Sequence, residues 1–391
     1  MLWRLGVLET IVVGGALAQK PHQAGHTWQF LQYLLGFRRL GWDVLFVDEL
    51  EAAMCVDDRG RPCRLEESVN LSYFRDVMIE FGLDRSCVLL QGGRSVFGVS
   101  RELALERTRR SALLLNIMGY LADEEILAAA PRRVFLDTDP GFGQMWRELG
   151  QADIFAGHDD HVTIAENIGR PDCGIPTAGL DWLTTPQPVF LEAWEPNPLP
   201  TTGVFTSVGA WRGPYAPIEL HGVTYGLRVH EFRKFVELPR LTGDRFELAL
   251  DIDAAETRDL ALLDLHGWAL VDPHEVARDP ATYRAYVRSS LAEFMVARGI
   301  YVQTRSGWFS ERSICYLASG RPVLAQDTGL ESLYPLGEGL LAFHTLEEAA
   351  AGVEEIRSDC LRHSRAAREL AVAHFDSDRV LGRLLGSLGA A

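Results

Sequence analysis

Three side chains in this sequence could move a proton near neutral pH: His26, His158 and Asp139. His158 stands in the run GHDDH, and a histidine beside carboxylates can act as a general base. Asp139 precedes Pro140 and Gly141, so it also fits a turn, while His26 also fits a helix start that bonds only backbone. The sequence therefore offers three candidate bases without choosing between them.

A second set of residues could bind phosphate groups. It lies between residues 301 and 327, in the stretch YVQTRSGWFSERSICYLASGRPVLAQD. The candidates are Arg305, Ser306 and Gly307 in a short polar loop, and Ser310, Glu311 and Arg312 at the start of a helix. The free N–H groups and the positive dipole end of a helix start attract anions. The stretch therefore predicts a diphosphate site.

Metal binding is an alternative chemistry for the acidic residues. Asp137 and Asp139 are separated by one residue, and two such carboxylates could hold Mg²⁺ or Mn²⁺ together with a diphosphate. This spacing is short and common, and the neighbouring His and Asp side chains of residues 158 to 161 diverge along a strand. We therefore expect no metal site and no bound cofactor.

The elements that must position the phosphate-binding residues alternate between strand and helix. Residues 301 to 304 are predicted to form a parallel strand, residues 310 to 320 a helix and residues 321 to 325 a second buried strand. A further helix is predicted over residues 283 to 296. The loop would then lie outside the carboxyl end of a parallel strand, where such sheets bind ligands.

The first half of the chain shows the same alternation. Strands are predicted at residues 10 to 13, 43 to 47, 112 to 117, 133 to 137 and 154 to 156, the last one leading to His158. A helix with Trp28, Leu31, Leu34 and Leu35 at helical spacing ends before Gly41. The Gly-rich stretch QGGRSVFG, residues 91 to 98, is predicted to be a loop.

A change of composition divides the chain. Residues 184 to 200 contain five prolines, which is typical of a linker. We predict an N-terminal domain over residues 1 to 197, a C-terminal domain over residues 198 to 368, and a final helical segment, residues 369 to 391. The C-terminal domain begins with a strand at residues 204 to 208 and the loop GAWRG.

The helix ending LASGRPVLAQD resembles the A-x-G-x-P-V-x-x-x-D ending of GT-B glycosyltransferases, and the Gly-rich loop before Gly25 and His26 is similar to the start of their N-terminal domain. This resemblance implies an α/β fold of two Rossmann-like parallel-sheet domains that face each other across a cleft. It also implies that the final helical segment packs back on the N-terminal domain. One departure is Cys315, which stands where many retaining members carry a Glu for the donor ribose.

The resemblance assigns further residues to the two sides of the cleft. On the donor side it implies Ser207, Gly209, Trp211, Arg212, Val271 and Asp327. On the acceptor side the candidates are Gly25, Glu166 and Asn167. Because a leaving diphosphate needs cationic and N–H partners, Arg212 and the Ser310 helix start are the expected anchors.

The resemblance implies transfer of a sugar from a nucleotide-diphosphate sugar, the co-substrate, to a small-molecule acceptor. Two alternatives stay open, a nucleotide-sugar epimerase of the same fold and a non-catalytic protein that binds nucleotide sugars. A nicotinamide-dependent dehydrogenase is disfavoured because Gly14 and Gly15 do not belong to a three-glycine fingerprint. The sequence does not decide whether the transfer inverts or retains configuration.

Composition limits the partners. The 391 residues are 47% hydrophobic and 24% charged, as in globular proteins, and the net charge of -16 argues against nucleic acid or an anionic membrane surface. Six scattered cysteines indicate reduced thiols and a cytoplasmic protein. The apolar residues 5 to 18 are interpreted as the first strand and its loop rather than a leader, and no run is long enough to span a membrane.

Overall fold

The computed structural model describes residues 9 to 200 and 203 to 390. Within them, the first half of the chain forms an eight-stranded sheet in the order β4-β3-β2-β1-β5-β6-β7-β8, in which only β4 runs antiparallel to its neighbour. Its strands are β1 (Thr10–Gly15), β2 (Asp43–Glu49), β3 (Cys87–Gln91), β4 (Arg94–Gly98), β5 (Ser111–Ile117), β6 (Arg133–Asp137), β7 (Asp160–Thr163) and β8 (Trp182–Thr184). Residues 5 to 8 of the apolar start lie outside the described residues.

Helices cover this first sheet, and together they form the first lobe. They are α1 (Ala24–Arg39), α2 (Val69–Glu80), α3 (Arg101–Arg109), α4 (Glu124–Ala129) and α5 (Phe142–Glu148). The central strands are apolar on both faces, as expected for a parallel sheet with helices on either side.

The second lobe contains a six-stranded, fully parallel sheet in the order β13-β12-β9-β14-β15-β16 within the described residues. Its strands are β9 (Phe205–Ala210), β12 (Phe246–Asp251), β13 (Ala269–Val271), β14 (Ala292–Met295), β15 (Val323–Gln326) and β16 (Leu340–Phe343), and a separate hairpin is formed by β10 (Ile218–Leu220) and β11 (Val223–Tyr225). The predicted α/β architecture of two Rossmann-like parallel sheets is confirmed.

The helices of the second half follow the same alternation. They are α6 (Arg228–Phe232), α7 (Leu238–Thr242), α8 (Thr257–Leu265), α9 (Pro273–Val276), α10 (Pro280–Ser289), α11 (Gly299–Gln303), α12 (Glu311–Ala318), α13 (Leu346–Ser358), α14 (Cys360–Leu370) and α15 (Ser377–Ser387). None of the helices in the described part of the chain combines the length and apolarity needed to cross a bilayer.

The strand before the phosphate-binding helix is not where the sequence predicted it. Residues 301 to 304 lie in and just after helix α11, and the strand is β14, inside the stretch that was predicted to be helical. The charged Glu293 makes β14 look amphipathic, but its side chain is buried and accepts a hydrogen bond from Arg312. The β-branched residues of α11 are helical because tertiary packing overrides their weak strand preference.

Residues 91 to 98 also differ from the prediction. They close a β3–β4 hairpin rather than forming a loop. Gly92 and Gly93 have φ of 55° and 73°, and two consecutive residues with positive φ fit a tight hairpin turn. The Gly-Gly pair was therefore a hairpin signal that the loop interpretation missed.

The C-terminal helix α15 packs against α1 of the first lobe. The contact is close at Gly36, where an added Cβ would lie 2.6 Å from Leu381 Cδ1 and 2.9 Å from Ser377 Cβ. Only a glycine permits this approach of the two helices.

We predict opposite effects for two Gly→Ala substitutions in these helices. Gly36→Ala should lower the free energy of unfolding by about 1 kcal/mol, because overpacking against Ser377 exceeds the gain in helix propensity. Gly382→Ala, with open space at its Cβ, should raise it by about 0.5 kcal/mol. Urea denaturation measures both, and equal stabilisation by the two variants would contradict the packing of α15 on α1.

Candidate functional site

The two lobes enclose a cleft with two adjoining cavities. Cavity A, about 290 Å³, lies between the start of α1 and the carboxyl ends of β9 and β12. Cavity B, about 190 Å³, lies between the loops after β5 and β6 and the segment that joins α11 to α12. Among the described residues, those that line both cavities are His26, Arg228, Arg298, Glu311 and Arg312.

Three arginines therefore converge where the cavities meet. Arg312 follows the N-cap of α12, whose Ser310 Oγ accepts the Arg312 backbone N–H at 3.2 Å. Its guanidinium donates to Glu293 and, at 2.7 Å, to the carbonyl of Val208, which leaves Nη2 without a partner in the described residues. A helix start and a guanidinium with a free N–H thus face the same space.

Arg228 carries the least compensated charge of the three. Its Nε is buried without a hydrogen-bond partner, and no ion pair forms on its guanidinium within residues 9–200 and 203–390. Burial and, after it, the nearby Arg312 and Arg298 guanidinia lower the pKa of Arg228 to about 9. An anion bound here would relieve both the desolvation and the repulsion.

Gly209 on β9 makes room for this guanidinium. A Cβ added at Gly209 would lie 2.0 Å from Arg228 Nη1. Ser207 and Gly209 both line the small void beneath Arg228. A methyl group at position 209 would therefore displace the Arg228 guanidinium from its present position.

Arg298 ties the lobes together across cavity B. Its Nη1 lies 2.6 and 2.7 Å from the two carboxylate oxygens of Asp139, and the Tyr301 hydroxyl donates to the same carboxylate. The guanidinium also lies over the rings of Phe142 and Tyr215, with centroid distances of 5.7 and 5.6 Å. Burial raises the pKa of Asp139, an effect that the Arg298 guanidinium opposes.

His26 faces both cavities from the first turn of α1. Its Nε2 lies 3.1 Å from the carbonyl oxygen of Ala16, which can only accept, so this nitrogen carries the proton. Burial, and then the Lys20 charge, lower the pKa of His26 to about 3. The imidazole is neutral at pH 7 and is a weak base.

No protein-family model and no curated sequence matches the chain. Among the solved structures that match, sucrose-phosphate synthase from Thermosynechococcus elongatus has 14% sequence identity and a TM-score of 0.51, and the match covers 98% of this chain and 99% of that one. An alpha-glucosyltransferase in complex with UDP has 11% identity and a TM-score of 0.56, with 97% of this chain and 99% of that one covered. Anabaena Alr3699/HepE in complex with UDP and glucose has 12% identity and a TM-score of 0.57, again with 97% of this chain and 99% of that one covered. The chain has the GT-B fold.

In this GT-B structure, part of the predicted site is brought together at the cleft. The predicted residues found there are Gly25, His26, Asp139, Gly209, Ser310, Glu311 and Arg312, while Ser207 lines only the small void beneath Arg228. They come from the first turn of α1, the end of β6, strand β9 and the start of α12. These are the carboxyl ends of parallel strands and the helix starts that follow them.

The loop after β9 turns its predicted donor residues away from the cleft. Trp211 is buried in the second lobe and donates to Asp259 at 2.8 Å. Arg212 is exposed and pairs with Glu256 in a separate surface groove. Val271 ends the edge strand β13 and lines neither cavity.

The residues predicted around position 305 stabilise a loop instead of lining a cavity. Arg305 pairs with Glu331 and approaches Asp327 at 3.5 Å, and Asp327 accepts the Leu330 N–H at 2.9 Å. Ser306 is buried, and the N–H of Gly307 donates to Thr328. Because the strand is β14, the loop that follows it toward the cleft begins near Arg298.

Glu166 and Asn167, predicted to contact the acceptor, connect the lobes. Asn167 Nδ2 donates to the carbonyls of Arg305 at 3.0 Å and Gly329 at 2.9 Å. Glu166 accepts from the Tyr334 hydroxyl. Both residues lie outside the two cavities.

His158 is not brought to the cleft. Residues 154 to 156 form a turn rather than a strand, and β7 begins only at Asp160, so His158 precedes the strand instead of following one. Its Nδ1 lies 3.1 Å from the Phe155 carbonyl and its ring packs against Phe135.

Two cleft residues, Arg228 and Arg298, were missed in the sequence. A signal existed for Arg298, which comes three residues after the strand β14, but that strand had been interpreted as helix. Arg228 begins the short helix α6, and nothing in the sequence distinguishes it from its basic neighbours. The described residues contain no cluster of three or more His, Cys, Asp or Glu side chains able to hold a metal ion.

We predict that Gly209→Ala weakens anion binding. The new methyl group would displace Arg228, so the dissociation constant for inorganic pyrophosphate should rise about tenfold, as expected for loss of a charge-assisted hydrogen bond. Isothermal titration calorimetry measures this dissociation constant in the variant and in the native chain. Gly386→Ala, with open space around its Cβ, is the control, and an unchanged affinity in Gly209→Ala would contradict the role of Arg228.

The loop that carries Ala16 depends on a buried acid, Asp48. Its Oδ2 accepts the N–H of Ala18 at 2.8 Å, while Oδ1 has no partner in the part of the chain that the structure describes. Burial raises the pKa of Asp48 to about 8. The folded protein therefore favours the protonated acid. This preference contributes its full amount to the free energy of unfolding below about pH 4, and the contribution is lost as the pH rises toward 8.

Asp48→Asn should flatten this pH dependence. The difference in free energy of unfolding between the variant and the native chain should shift in favour of the variant by at least about 1 kcal/mol from pH 5 to pH 8. Urea denaturation at both pH values provides the measurement, with the exposed Asp264→Asn as control. A constant difference between variant and native chain would show that Asp48 titrates normally.

Proposed function

We propose that this protein is a glycosyltransferase that moves a sugar from a nucleotide-diphosphate sugar to a small-molecule acceptor. The observation that carries the proposal is the incompletely paired Arg228 beside Arg312 and the start of α12, in a cleft between two Rossmann-like lobes. A diphosphate supplies the negative charge that this cluster favours. The UDP in the complexes of the alpha-glucosyltransferase and HepE supports the same class of ligand.

The chemistry follows from the position of the charges. When the bond between the sugar C1 and the donor phosphate oxygen breaks, the electron pair and negative charge go to the diphosphate. Preorganised N–H donors of Arg228 and Arg312 would stabilise that charge more in the transition state than in the ground state. The acceptor oxygen then bonds to C1 and gives up its proton.

Cavity B is the proposed acceptor site. It is lined by Met118, Tyr120 and Tyr215, and the segment that carries Tyr215 reaches over from the second lobe and packs on Phe142 with a ring distance of 4.5 Å. A cavity of about 190 Å³, closed on this side, supports a small acceptor rather than a polymer. The net charge of -16 also disfavours nucleic acid.

Of the three candidate bases, we assign the acceptor contact to Asp139. Its support is its position on cavity B, where Arg298 and Tyr301 orient the carboxylate. His26 is disfavoured as a base because its pKa of about 3 leaves little driving force for proton transfer. In an inverting reaction Asp139 would take the proton of the acceptor hydroxyl, and in a retaining one it would orient that hydroxyl.

We predict that Arg228→Gln lowers kcat/KM for donor hydrolysis by about a hundredfold, because one donor to the leaving diphosphate is lost. The assay is release of nucleoside diphosphate from a panel of UDP, GDP, ADP and dTDP sugars, without and with acceptor. Arg212→Gln is the matched control, since this arginine is exposed and lies in a different groove, and its kcat/KM should be unchanged.

The same assay can overturn the proposal. If no nucleotide sugar is bound or hydrolysed, glycosyl transfer is wrong. If an isomerised nucleotide sugar accumulates without acceptor, the protein is an epimerase of this fold. A larger effect of Arg212→Gln than of Arg228→Gln would place the diphosphate outside the cleft.

A further inference from the structure

Cavity B contains one cation that the proposed function leaves unused, Lys20. It is one of only two lysines among the 38 Lys and Arg residues of the chain. Its side chain lines cavity B from the first lobe and does not border cavity A. Within residues 9–200 and 203–390 its Nζ forms no ion pair and no hydrogen bond, whereas the other lysine, Lys234, pairs with Glu231 at 2.8 Å. Lys20 is therefore a cation without an anion on the wall of the acceptor cavity.

The backbone that carries Lys20 is held in place. Its N–H donates to the carbonyl of Leu17 at 3.2 Å, which closes a turn after β1. Within this turn the N–H of Ala18 donates to Asp48, and the carbonyl of Ala18 accepts from Asn70 Nδ2, both at 2.8 Å. Residues 16 to 18 are fully buried, and the side chain of residue 20 is half-buried. The turn thus presents the ammonium group to the cavity from a fixed position, which reduces the entropy lost when a ligand binds.

The surroundings of the ammonium group favour an anionic ligand. Nζ lies 5.6 Å from the centre of the Tyr120 ring. Burial lowers the pKa of Lys20, Asp139 opposes this effect, and Arg298 adds to it. Asp139 already accepts from Arg298, at 2.6 and 2.7 Å, and from the Tyr301 hydroxyl. Because a partly desolvated cation without a counterion is unfavourable, an anion in the cavity would stabilise the ammonium form.

This position is separate from the proposed diphosphate site. Arg228 and Arg312 belong to the second lobe and border both cavities, and the charge that most affects Arg228 is that of Arg312. Glu311, the second carboxylate on cavity B, contacts Gln187 at 3.5 Å and is not among the charges that shift Lys20. A diphosphate on the two arginines would therefore leave the charge of Lys20 without a partner.

We propose that Lys20 binds an anionic group of the sugar acceptor, a phosphate or a carboxylate, so that cavity B selects acceptors that carry a negative charge over their neutral counterparts. This inference rests on the proposed function and names the class of acceptor. A lysine suits either anion, because its ammonium group is a compact charge with three donors and needs no bidentate geometry.

The test measures acceptor selectivity with matched compounds. Glucose, glucose 6-phosphate and glucuronate form one set, and glycerol, glycerol 3-phosphate and glycerate form another. For each compound, kcat/KM is measured as transfer of sugar by the full chain from the nucleotide sugar that the donor panel identifies. In the native chain the preferred anionic compound should exceed its neutral counterpart about thirtyfold, as expected for a hydrogen bond to a charged group. The order of phosphate and carboxylate identifies the anion.

Lys20→Met keeps an unbranched apolar chain beside Tyr120 but removes the charge, so the ratio of anionic to neutral kcat/KM should fall close to one. Both members of the ratio are measured on the same preparation, so a partial loss of folded protein does not change it. Lys234→Met is the matched control and should keep the native ratio, since this lysine lines neither cavity.

The results can overturn this inference without affecting the proposed function. Transfer to neutral compounds alone, equal use of both kinds, transfer to no compound of either set, or an unchanged ratio in Lys20→Met overturns the assignment of Lys20. In each of these cases hydrolysis of the donor still supports glycosyl transfer. Absence of binding and hydrolysis of every nucleotide sugar overturns the proposed function as well.

Discussion

The cleft of this protein depends on one electrostatic constraint, an arginine whose Nε is buried and whose charge lies beside two other arginines. Arg228 lacks a carboxylate partner in the described residues, while Arg312 and Arg298 each have one, in Glu293 and Asp139. Burial of an unpaired cation is unfavourable and persists only where surrounding structure enforces it. Here the enforcing features are the glycine at 209 and the packed start of α6.

The rest of the site follows from the topology that presents this charge. Apart from β4, the strands of each sheet are parallel and aim their carboxyl ends at the same cleft, so loops from both lobes contribute. The first lobe supplies the neutral His26 and the anionic Asp139, and the second supplies the guanidinia and the start of α12. The three guanidinia of the cleft, those of Arg228, Arg298 and Arg312, therefore all come from the second lobe.

The fold class, with its two Rossmann-like parallel sheets, and most strands could be predicted from the sequence because buried parallel strands are apolar. The error at β14 arose from Glu293, whose charge is neutralised by Arg312, a residue nineteen positions away. No local pattern reports such a partner. The same error moved the expected phosphate loop to residues 305–307 and hid Arg298, so one misplaced strand changed several site assignments.

The interlobe contacts explain why the expected acceptor residues were hard to assign. Glu166 and Asn167 follow β7 at the edge of the cleft, where polar side chains either meet a ligand or meet the other lobe. Sequence cannot separate these roles, because both require the same residue types at the same strand end. Asp139 shows that they also overlap, since its carboxylate borders cavity B and pairs with Arg298 of the opposite lobe. Any ligand that draws Arg298 toward a phosphate must therefore weaken a contact that holds the lobes together, which couples occupancy of the cleft to the arrangement of its walls.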